Sequence, residues 1–291
     1  MDRFAQAVLG IDGGGSGTRA ALLLGGRRHE AAAGPCNVTS GFAEAVASLE
    51  TVYAGLAAAA GAEVAALKAL PAHLGLAGVT GDEIARRVAA ALGLARARVT
   101  DDLPPTVAGA LGGQDGAVAS VGTGSFIGAQ RGGRIARVGG WGFVLGDQAS
   151  GAWLGRRAAE AALLAADGIG PSGALTEAVL ARFGGSPAAL VAFSFAARPA
   201  DFAGLAPLVA EAAGQGDALA LALAGEGTDY LRRGLAALGH RPGDVLVLAG
   251  GLAGFYAPRI GLPVTPAAGT ALDGALRLAT LAAKGPPCPN P

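Results

Sequence analysis

The sequence predicts an α/β protein of two lobes with a duplicated core. Strand-like stretches alternate with apolar residues at helical spacing, a pattern typical of α/β architecture. The chain has 291 residues, a length more often divided into two domains than one. A strand, a glycine-rich turn and a second strand near the start are echoed later in the chain. We expect a first lobe over 1–112 and a second over 113–291, with a final helix at about 270–284 that packs back on the first.

The elements of the first lobe are predicted from short β-prone runs and from helical periodicity. Apolar residues at helical spacing predict one helix through Phe42 and Leu56 and another through Ile84 and Leu92. The run from Asp12 to Gly17 predicts a tight turn. The predicted strands are Ala7–Ile11, Thr18–Leu24, Arg27–Ala33, His73–Ala77 and Arg98–Thr100.

The second lobe repeats the strand-rich beginning and then becomes helical. From Ser150 to Leu238 the pattern is mainly helical, with breaks at 168–173, 184–187 and 197–199. A last helix is predicted over Thr270–Ala283. The predicted strands are Ala117–Val121, Ser125–Gln130, Ile135–Val138 and Val245–Ala249.

Composition narrows the partners to a small molecule. Lys plus Arg and Asp plus Glu both total 22, so no summed charge favours nucleic acid or an anionic membrane surface. The apolar runs are broken by glycine and are shorter than the roughly 20 residues that span a bilayer. The stretch Met1 to Gly10 lacks the basic-then-apolar order of a signal peptide, so we expect a cytoplasmic protein.

Cysteine and histidine give no sign of a metal site. Cys36 and Cys288 lie far apart, and Cys288 falls in a Pro-rich tail that we expect to be frayed. We therefore expect no disulfide or cysteine-ligated zinc, and we interpret Cys36 as a small buried side chain. The three histidines show no ligand spacing and are interpreted as structural or surface residues: His29, His73 and His240.

Three glycine-rich segments could hold a nucleotide. The first, GIDGGGSGT at Gly10–Thr18, places a carboxylate at a strand end and glycines where backbone amides can approach phosphates. The turn leads into a strand, unlike the dinucleotide fingerprint, and no P-loop sequence is present. An ordinary glycine-rich hairpin tip is the alternative. The residues predicted to bind phosphate here are Gly13, Gly14, Gly15, Ser16 and Thr18.

The second segment, GTGS, again lies between two strands, and its amides and hydroxyls could grip phosphate oxygens. The third, AGGLAG at Ala249–Gly254, offers bare backbone to a base or ribose, or is an ordinary strand-to-helix turn. The predicted cofactor-binding residues are Gly122, Thr123, Gly124, Ser125, Gly250 and Gly251.

Together these segments resemble the two phosphate motifs and the adenosine motif of the actin, hexokinase and heat-shock chaperone superfamily. Within it, the stretch from Gly10 to Leu278 is similar to the BadF/BadG/BcrA/BcrD family, and most to its N-acetylglucosamine and glucosamine kinase branch. The resemblance implies an actin/hexokinase-like, ribonuclease H-like fold with a duplicated βββαβα core and an interlobe cleft for ATP and Mg²⁺. It is carried further by GPCN at Gly34–Asn37, LGLAGV at Leu74–Val79, VTDD at Val99–Asp102 and GGWGFVLGDQASGAWLG at Gly139–Gly155.

Phosphoryl transfer to a hydroxyl needs a positioned base and groups that neutralise phosphate charge. Asp102 follows a strand and precedes Pro104 and a helical run, and the family match favours it over Asp101 as the general base. The alternative is that one or both of these carboxylates cap the helix. Asp12 is the candidate for magnesium, held through water.

The resemblance also implies sugar-binding residues. Asn37 matches the family's sugar-binding asparagine, whose amide can donate to and accept from hydroxyls, although a plain turn role is the alternative. Gly78 matches a position where backbone approaches the sugar, and Asp147 could accept two sugar hydroxyls. Trp141 is either a wall for the sugar ring or ordinary packing.

The implied activity is ATP-dependent phosphorylation of the 6-hydroxyl of glucosamine or N-acetylglucosamine by a homodimer. Many family members carry Glu and Gly where this chain has Gln148 and Ala149, and Gln is found in the glucosamine kinase branch. That feature favours glucosamine. Two alternatives remain: a non-catalytic sugar sensor, and an ATPase activator of a 2-hydroxyacyl-CoA dehydratase, which would need closely placed cysteines for an iron–sulfur cluster.

Overall fold

The structure, a computed structural model, describes Phe4 and residues 6–285, which form two compact units. The first unit comprises the described residues up to Gln114 together with those from Ala267 onward. The second comprises Asp115–Pro266. We expect one boundary between the lobes, after residue 112. The structure divides the chain after Gln114 and again after Pro266. Cys288 and its tail lie outside the described residues, as do Met1 to Arg3 of the stretch that lacks the order of a signal peptide.

The first unit is built on a five-stranded sheet with the order β3-β2-β1-β4-β5. Strands β1 to β3 form an antiparallel meander, while β4 and β5 run parallel to β1. The five predicted strands are all confirmed. Their bounds are β1 Val8–Gly14, β2 Gly17–Leu24, β3 Arg27–Ala33, β4 Ala72–Leu76 and β5 Ala97–Thr100.

The predicted turn at Asp12–Gly17 is shorter than expected. Strand pairing continues through Gly13 opposite Thr18 and through Gly14 opposite Gly17, so only Gly15 and Ser16 form the tip. Glycine can take extended backbone as readily as a turn, and here the ladder of hydrogen bonds decides the conformation.

The helices of the first unit cover its sheet. Their bounds are α1 Phe42–Ala60, α2 Val64–Lys68, α3 Asp82–Leu92, α4 Leu103–Leu111 and the final helix, α12, Ala271–Ala283. The apolar side of α1, with Leu49, Val52 and Leu56, is fully buried in the main core of this unit. Burial of such side chains stabilises the unit by roughly 1.5–3 kcal/mol each.

Helix α12 packs against α4 and β1 of the first unit. Its Leu272 and Leu276 are 5% exposed and contact Val8 and Ala21 of the sheet. At the crossing with α4 the two backbones approach closely, because a Cβ added to Gly274 would lie 1.9 Å from the Pro105 carbonyl oxygen. Glycine is therefore required there by packing.

The second unit repeats this plan with a four-stranded sheet of order β8-β7-β6-β9. Its first three strands form an antiparallel meander and β9 runs parallel to β6, as β4 does to β1. The duplicated core is thus confirmed. The strand bounds are β6 Gly116–Val121, β7 Ser125–Arg131, β8 Arg134–Gly139 and β9 Val245–Ala249.

The helices of the second unit separate at the three predicted breaks and also at 204–205 and 215–217, where no break was predicted. They are α5 Gly151–Ala166, α6 Ala174–Arg182, α7 Pro187–Ala196, α8 Pro199–Ala203, α9 Ala206–Gly214, α10 Ala218–Ala237 and α11 Ala253–Ile260. Among the described residues no single helix has the length and apolar character to cross a bilayer, and α6 with α7, bent by 69°, meets that test only as a pair.

Candidate functional site

The first unit gathers its predicted site residues at one edge of the sheet. Strands β1, β4 and β5 are parallel and in register, with Asp12 beside Gly75 and Gly75 beside Thr100. Segments that leave the carboxyl ends of neighbouring parallel strands meet at the same edge, where ligands of α/β proteins usually bind. A bridge between Asn37 and Ala77 brings the loop after β3 to this edge. The predicted residues located here are Asp12, Asn37, Gly78 and Asp102.

Asp12 is paired with a cation that the sequence reasoning missed. Nη2 of Arg19 donates to Oδ2 of Asp12 at 2.9 Å, and the two side chains are 63% and 15% exposed, respectively. The two residues are directly opposed across the β1–β2 hairpin. Their pairing was predictable once the register of the hairpin was known, because opposed residues share one face of the sheet.

The glycines of the first turn fall into two groups. A Cβ on Gly13 would lie 2.7 Å from Cδ2 of Leu76 and 3.1 Å from Cβ of Cys36, both buried, so core packing favours glycine here. A Cβ on Gly15 would meet no atom within 4 Å, and Gly15 and Ser16 are exposed. Among the described residues, no protein acceptor is found for the N–H groups of Gly15 and Ser16. The tip therefore presents two adjacent N–H donors.

Thr18 has a structural hydrogen bond in place of the predicted phosphate contact. Its hydroxyl donates to the Gly34 carbonyl at 2.8 Å, and the residue is 1% exposed. Cys36 lies next to it, with its N–H donating to Gly14 at 2.8 Å. The interpretation of Cys36 as a buried side chain is confirmed, and burial raises the pKa of its thiol to about 11. These bonds fasten the loop after β3 to the glycine turn.

Asn37 is oriented by its own loop. Its Oδ1 accepts from the N–H groups of Thr39 and Ser40, both at 3.1 Å. Both lone pairs of that oxygen are used, so the side chain can offer a ligand N–H donors but no acceptor, which corrects the expectation that it does both. Gly78 has φ +85°, and a Cβ there would lie 2.5 Å from Oδ1 of Asn37. Glycine at this position lets the asparagine approach the backbone.

Asp102 occupies the N-cap position of α4, yet its carboxylate does not cap the helix. Its backbone has φ −74° and ψ −10°, whereas capping residues normally adopt the β region. The side chain is exposed, while that of Asp101 is half-buried. The capping alternative is therefore not the arrangement that Asp102 adopts.

In the second unit, the two predicted nucleotide segments are adjacent. A Cβ on Gly250, whose φ is +92°, would lie 2.5 Å from the Val121 carbonyl oxygen at the end of β6. The turn after β9 thus lies directly against the turn after β6. A Cβ on Gly122 or Gly251 would meet no atom within 4 Å. Within the described residues, neither a close neighbour nor a positive φ requires glycine at these two positions.

The turn after β6 is held by the beginning of α5. The Gly122 N–H donates to Gly124 at 2.9 Å, while the carbonyls of Gly122 and Thr123 accept from Gly151 and Ala152 at 2.8 and 3.1 Å. In the described part of the chain, the N–H groups of Thr123 and Gly124 have no protein acceptor. As in the first unit, two consecutive N–H donors remain at the tip.

Asp147 lies against this turn. The N–H groups of Ser125 and Gly142 donate to its carboxylate, but burial outweighs them and raises its pKa above the ordinary value. A Cβ on Gly124 would lie 2.8 Å from Oδ2 of Asp147. The Ser125 hydroxyl donates to the Gln148 carbonyl at 2.6 Å and the residue is 4% exposed. Both donors of Ser125 are engaged within the protein, which does not match its predicted contact with phosphate.

The segment after Asp147 has strained backbone. Asp147 and Ala149 have φ values of 55° and 69°, a region that L-residues other than glycine rarely adopt. Ser150 then caps α5, since its hydroxyl accepts from the Trp153 N–H at 3.1 Å. Such strain persists where surrounding contacts fix it and is frequent at functional sites.

Trp141 is 69% exposed, with the guanidinium of Arg137 5.3 Å from its ring centroid. Sequence reasoning missed Tyr230 on α10, whose hydroxyl would lie 2.3 Å from a Cβ on Gly139. Burial, and then the charge of Asp147, raise the pKa of Tyr230. Tyr230 also lines an open cavity of about 720 Å³ between α5 and α10.

Two units with the same meander and parallel fourth strand, each with a glycine turn that presents N–H donors, define the actin/hexokinase-like fold class. The chain belongs to the BadF/BadG/BcrA/BcrD ATPase family, whose sequence model matches residues 9–260.

Two of the relatives carry the names of amino-sugar kinases. The glucosamine kinase GspK of Vibrio cholerae serotype O1 is 33% identical over 171 residues, which are 57% of this chain and 58% of that protein. The match thus spans less than two thirds of that curated relative. A crystal structure from Chromobacterium violaceum, provisionally named an N-acetylglucosamine kinase, is 35% identical with a TM-score of 0.80, covering 94% of this chain and 99% of that one.

A more distant structure supports the fold alone. It is a ROK family glucokinase from Streptomyces griseus in complex with glucose and AMPPNP. It is 20% identical, with a TM-score of 0.52 over 94% of this chain and 98% of that chain.

Proposed function

We propose that this protein is an ATP-dependent kinase that phosphorylates the 6-hydroxyl of glucosamine, N-acetylglucosamine or both. The observation that carries the proposal is an exposed carboxylate, Asp102, at the sheet edge that also holds Asn37 and Gly78. The names of the two relatives above support the amino-sugar substrate class.

Asp102 is proposed as the general base. A base for a sugar hydroxyl must reach the hydroxyl proton, and the side chain of Asp102 is exposed at the start of α4. It would take the proton as the hydroxyl oxygen attacks the terminal phosphate.

The N–H donors of the two glycine turns are proposed to bind the phosphates of ATP. Gly15 with Ser16, and Thr123 with Gly124, each present consecutive N–H groups of the kind that form anion-binding concavities. Gly13, Thr18 and Ser125 would act indirectly, by packing and hydrogen bonds that shape the turns. The residues proposed to line the nucleotide are Gly14, Gly15, Ser16, Gly122, Thr123, Gly124, Gly250 and Gly251.

Magnesium is proposed near Asp12. The described residues contain no group of three or more His, Cys, Asp or Glu side chains that could hold a metal by themselves. A single carboxylate fits magnesium that is bound mainly by phosphates and water. Asp12, which is 15% exposed and already paired with Arg19, fits such a water-mediated role. When bound, the ion would neutralise phosphate charge.

Sugar recognition is proposed to use opposite hydrogen-bonding groups. The amide of Asn37 can donate to a sugar oxygen, because its Oδ1 is occupied by two backbone N–H groups. The carboxylate of Asp147 retains acceptor capacity beyond its bonds to Ser125 and Gly142. An acceptor also suits the ammonium of glucosamine, whose desolvation without a partner would be costly, so we favour glucosamine. Trp141, well exposed, is proposed as a ring wall.

The proposal extends to a homodimer in the cytoplasm. Light scattering coupled to size-exclusion chromatography would test the dimer, and fractionation of cells would test the location.

A coupled ATP-consumption assay across glucosamine, N-acetylglucosamine, glucose and mannose tests the activity. We expect both amino sugars, or one of them, to exceed glucose in kcat/KM. The Asp102→Asn variant should bind ATP as the parent does, while its turnover should be lower by about two to four orders of magnitude. The matched control, Asp101→Asn, should stay within a few-fold of the parent. Glucose equal to both amino sugars would indicate a general hexose kinase.

If none of the sugars supports turnover but sugar binding is detected, the result would instead support the non-catalytic sugar sensor. The activator alternative gains no support from the described cysteine, because Cys36 is fully buried. A cluster shared between two subunits would need a cysteine thiol at the surface of each subunit.

A further inference from the structure

Two threonine hydroxyls hold the backbone on either side of Asp102. On the helix side, the hydroxyl of Thr106 donates to the Asp102 carbonyl at 2.7 Å, and the Thr106 N–H donates to the same oxygen at 3.2 Å. On the strand side, the hydroxyl of Thr100 donates to the Asp101 carbonyl at 2.8 Å. The two peptide planes that flank Asp102 each carry one of these carbonyls. Their orientations are therefore both restrained.

A buried histidine extends the restraint on the strand side. Nε2 of His73, on β4, lies 3.1 Å from the Thr100 hydroxyl oxygen, and His73 is 4% exposed. The single hydroxyl proton of Thr100 is used toward Asp101, so the proton in the second bond must come from His73. The tautomer with hydrogen on Nε2 follows. Burial lowers the pKa of His73 to about 4, so the ring is neutral at neutral pH.

The restrained conformation keeps the Asp102 carboxylate off its helix. A capping aspartate has a β-region backbone, with its oxygen directed at the second or third N–H of the helix. Asp102 has a ψ of −10° instead, although its carbonyl accepts the Thr106 N–H, as the carbonyl of an N-cap residue normally does. Thr106 thus holds the peptide plane that follows Asp102, and reaching the capping ψ with that plane fixed would turn the Asp101 carbonyl away from the Thr100 hydroxyl.

We propose that His73, Thr100 and Thr106 are positioning residues that hold Asp102 in the orientation needed for proton abstraction. This inference rests on the proposed function, since it concerns the orientation of the proposed general base. None of the three needs to touch substrate. They act through the backbone, and misplacement of a catalytic group by about 1 Å can cost on the order of 100-fold in rate.

Isosteric threonine variants test the proposal. Thr100→Val and Thr106→Val remove a hydroxyl and little volume, while Thr100→Ser and Thr106→Ser keep it. We expect each valine variant to lower kcat by about 10- to 100-fold with KM for sugar and ATP within about two-fold of the parent. The serine variants should restore kcat. Thr51→Val is the matched control for Thr106→Val, because the Thr51 hydroxyl likewise donates to the carbonyl four positions earlier, that of Ala47, at 2.9 Å on the exposed side of α1.

Two substitutions at His73 test its role independently of the threonine variants. His73→Gln can still place an N–H near Thr100, whereas His73→Leu cannot. Thermal unfolding of every variant is recorded, so that a loss of folded protein is separated from a loss of kcat.

The outcomes separate this proposal from the function on which it rests. Suppose that the parent turns over, that Asp102→Asn does not, and that both valine variants keep kcat within about three-fold of the parent. This result overturns the positioning role and leaves the proposed function standing. An equal loss in the serine variants or in Thr51→Val also overturns it. A parent without turnover on any amino sugar overturns the proposed function, and the positioning role with it.

Discussion

Replacing Gly274 by alanine tests how closely the last helix, α12, is seated on α4. The added Cβ would lie 1.9 Å from the Pro105 carbonyl oxygen and 2.5 Å from the Gly109 nitrogen. Both neighbours are backbone atoms inside a helix and cannot rotate away. The two helices must therefore move apart by about 1 Å or more to restore ordinary contact distances.

The expected loss of stability follows from three terms. Overpacking of this kind costs typically about 1–3 kcal/mol, and occasionally more. Separation also loosens Leu272 and Leu276, each 5% exposed, whose full burial is worth roughly 1.5–3 kcal/mol apiece. Alanine returns about 1 kcal/mol through its higher helix propensity. We expect a net loss of about 3 kcal/mol in the first unit.

Differential scanning calorimetry measures the effect, with Gly225→Ala as the control. Gly225 lies on the exposed side of α10, and a Cβ there would meet no atom within 4 Å. The control should therefore stabilise the second unit by about 1 kcal/mol. At about 2–4 °C per kcal/mol, Gly274→Ala should lower Tm by about 6–12 °C while Gly225→Ala raises it by about 2–4 °C. An unchanged or higher Tm for Gly274→Ala would refute the close helix contact.

Three further predictions concern single side chains. Asn37→Asp should keep the turn, because a carboxylate oxygen can replace Oδ1, but it loses the N–H donor. We expect KM for sugar to rise by about 10-fold or more with unchanged Tm, and an unchanged KM would remove Asn37 from the sugar site. Ala149→Gly should leave Tm nearly unchanged. It relieves about 1–2 kcal/mol of left-handed backbone strain, but it also removes a buried methyl group and adds conformational entropy to the unfolded chain. A shift in Tm above about 5 °C would contradict this balance. Arg28, through a hydrogen bond, holds the pKa of Asp273 at about 2, below its ordinary value. A depressed folded-state pKa gives stability that is present above the ordinary value and is lost as pH falls from about 4 toward about 2. Asp273→Asn should therefore flatten the acid dependence of unfolding in that window, and an unaltered profile would exclude the pair as its source.

Much of the fold was predictable because strands and breaks have strong local signals. The strand Arg27–Ala33 is found with the predicted bounds, since turn residues delimit it. Helix α2, Val64–Lys68, was missed because five residues are too few to show a period. The hairpin turn was predicted too long because glycine is compatible with both turn and strand, and only the partner strand decides between them.

The site was predictable where residues follow a strand and not where a side chain returns from a distant helix. Asp12 lies near the end of β1 and Asp102 follows β5, and the parallel sheet brings these two strand ends to one edge. Tyr230 reaches Gly139 from α10, and no local pattern marks that contact. Thr18 belongs to a motif in which a hydroxyl suits phosphate or a backbone carbonyl equally well. Its burial, which depends on the whole fold, separates these two uses.

The seat of α12 has a consequence for the order in which the chain can fold during synthesis. The first unit is made from two stretches separated by Asp115–Pro266, so the sheet surface around Val8 and Ala21 remains uncovered until Leu272 and Leu276 leave the ribosome. The second unit is continuous and has its complete sequence earlier. Strands β1 and β2 are thus translated before the second unit but covered after it, and their apolar surface is open to aggregation in the interval.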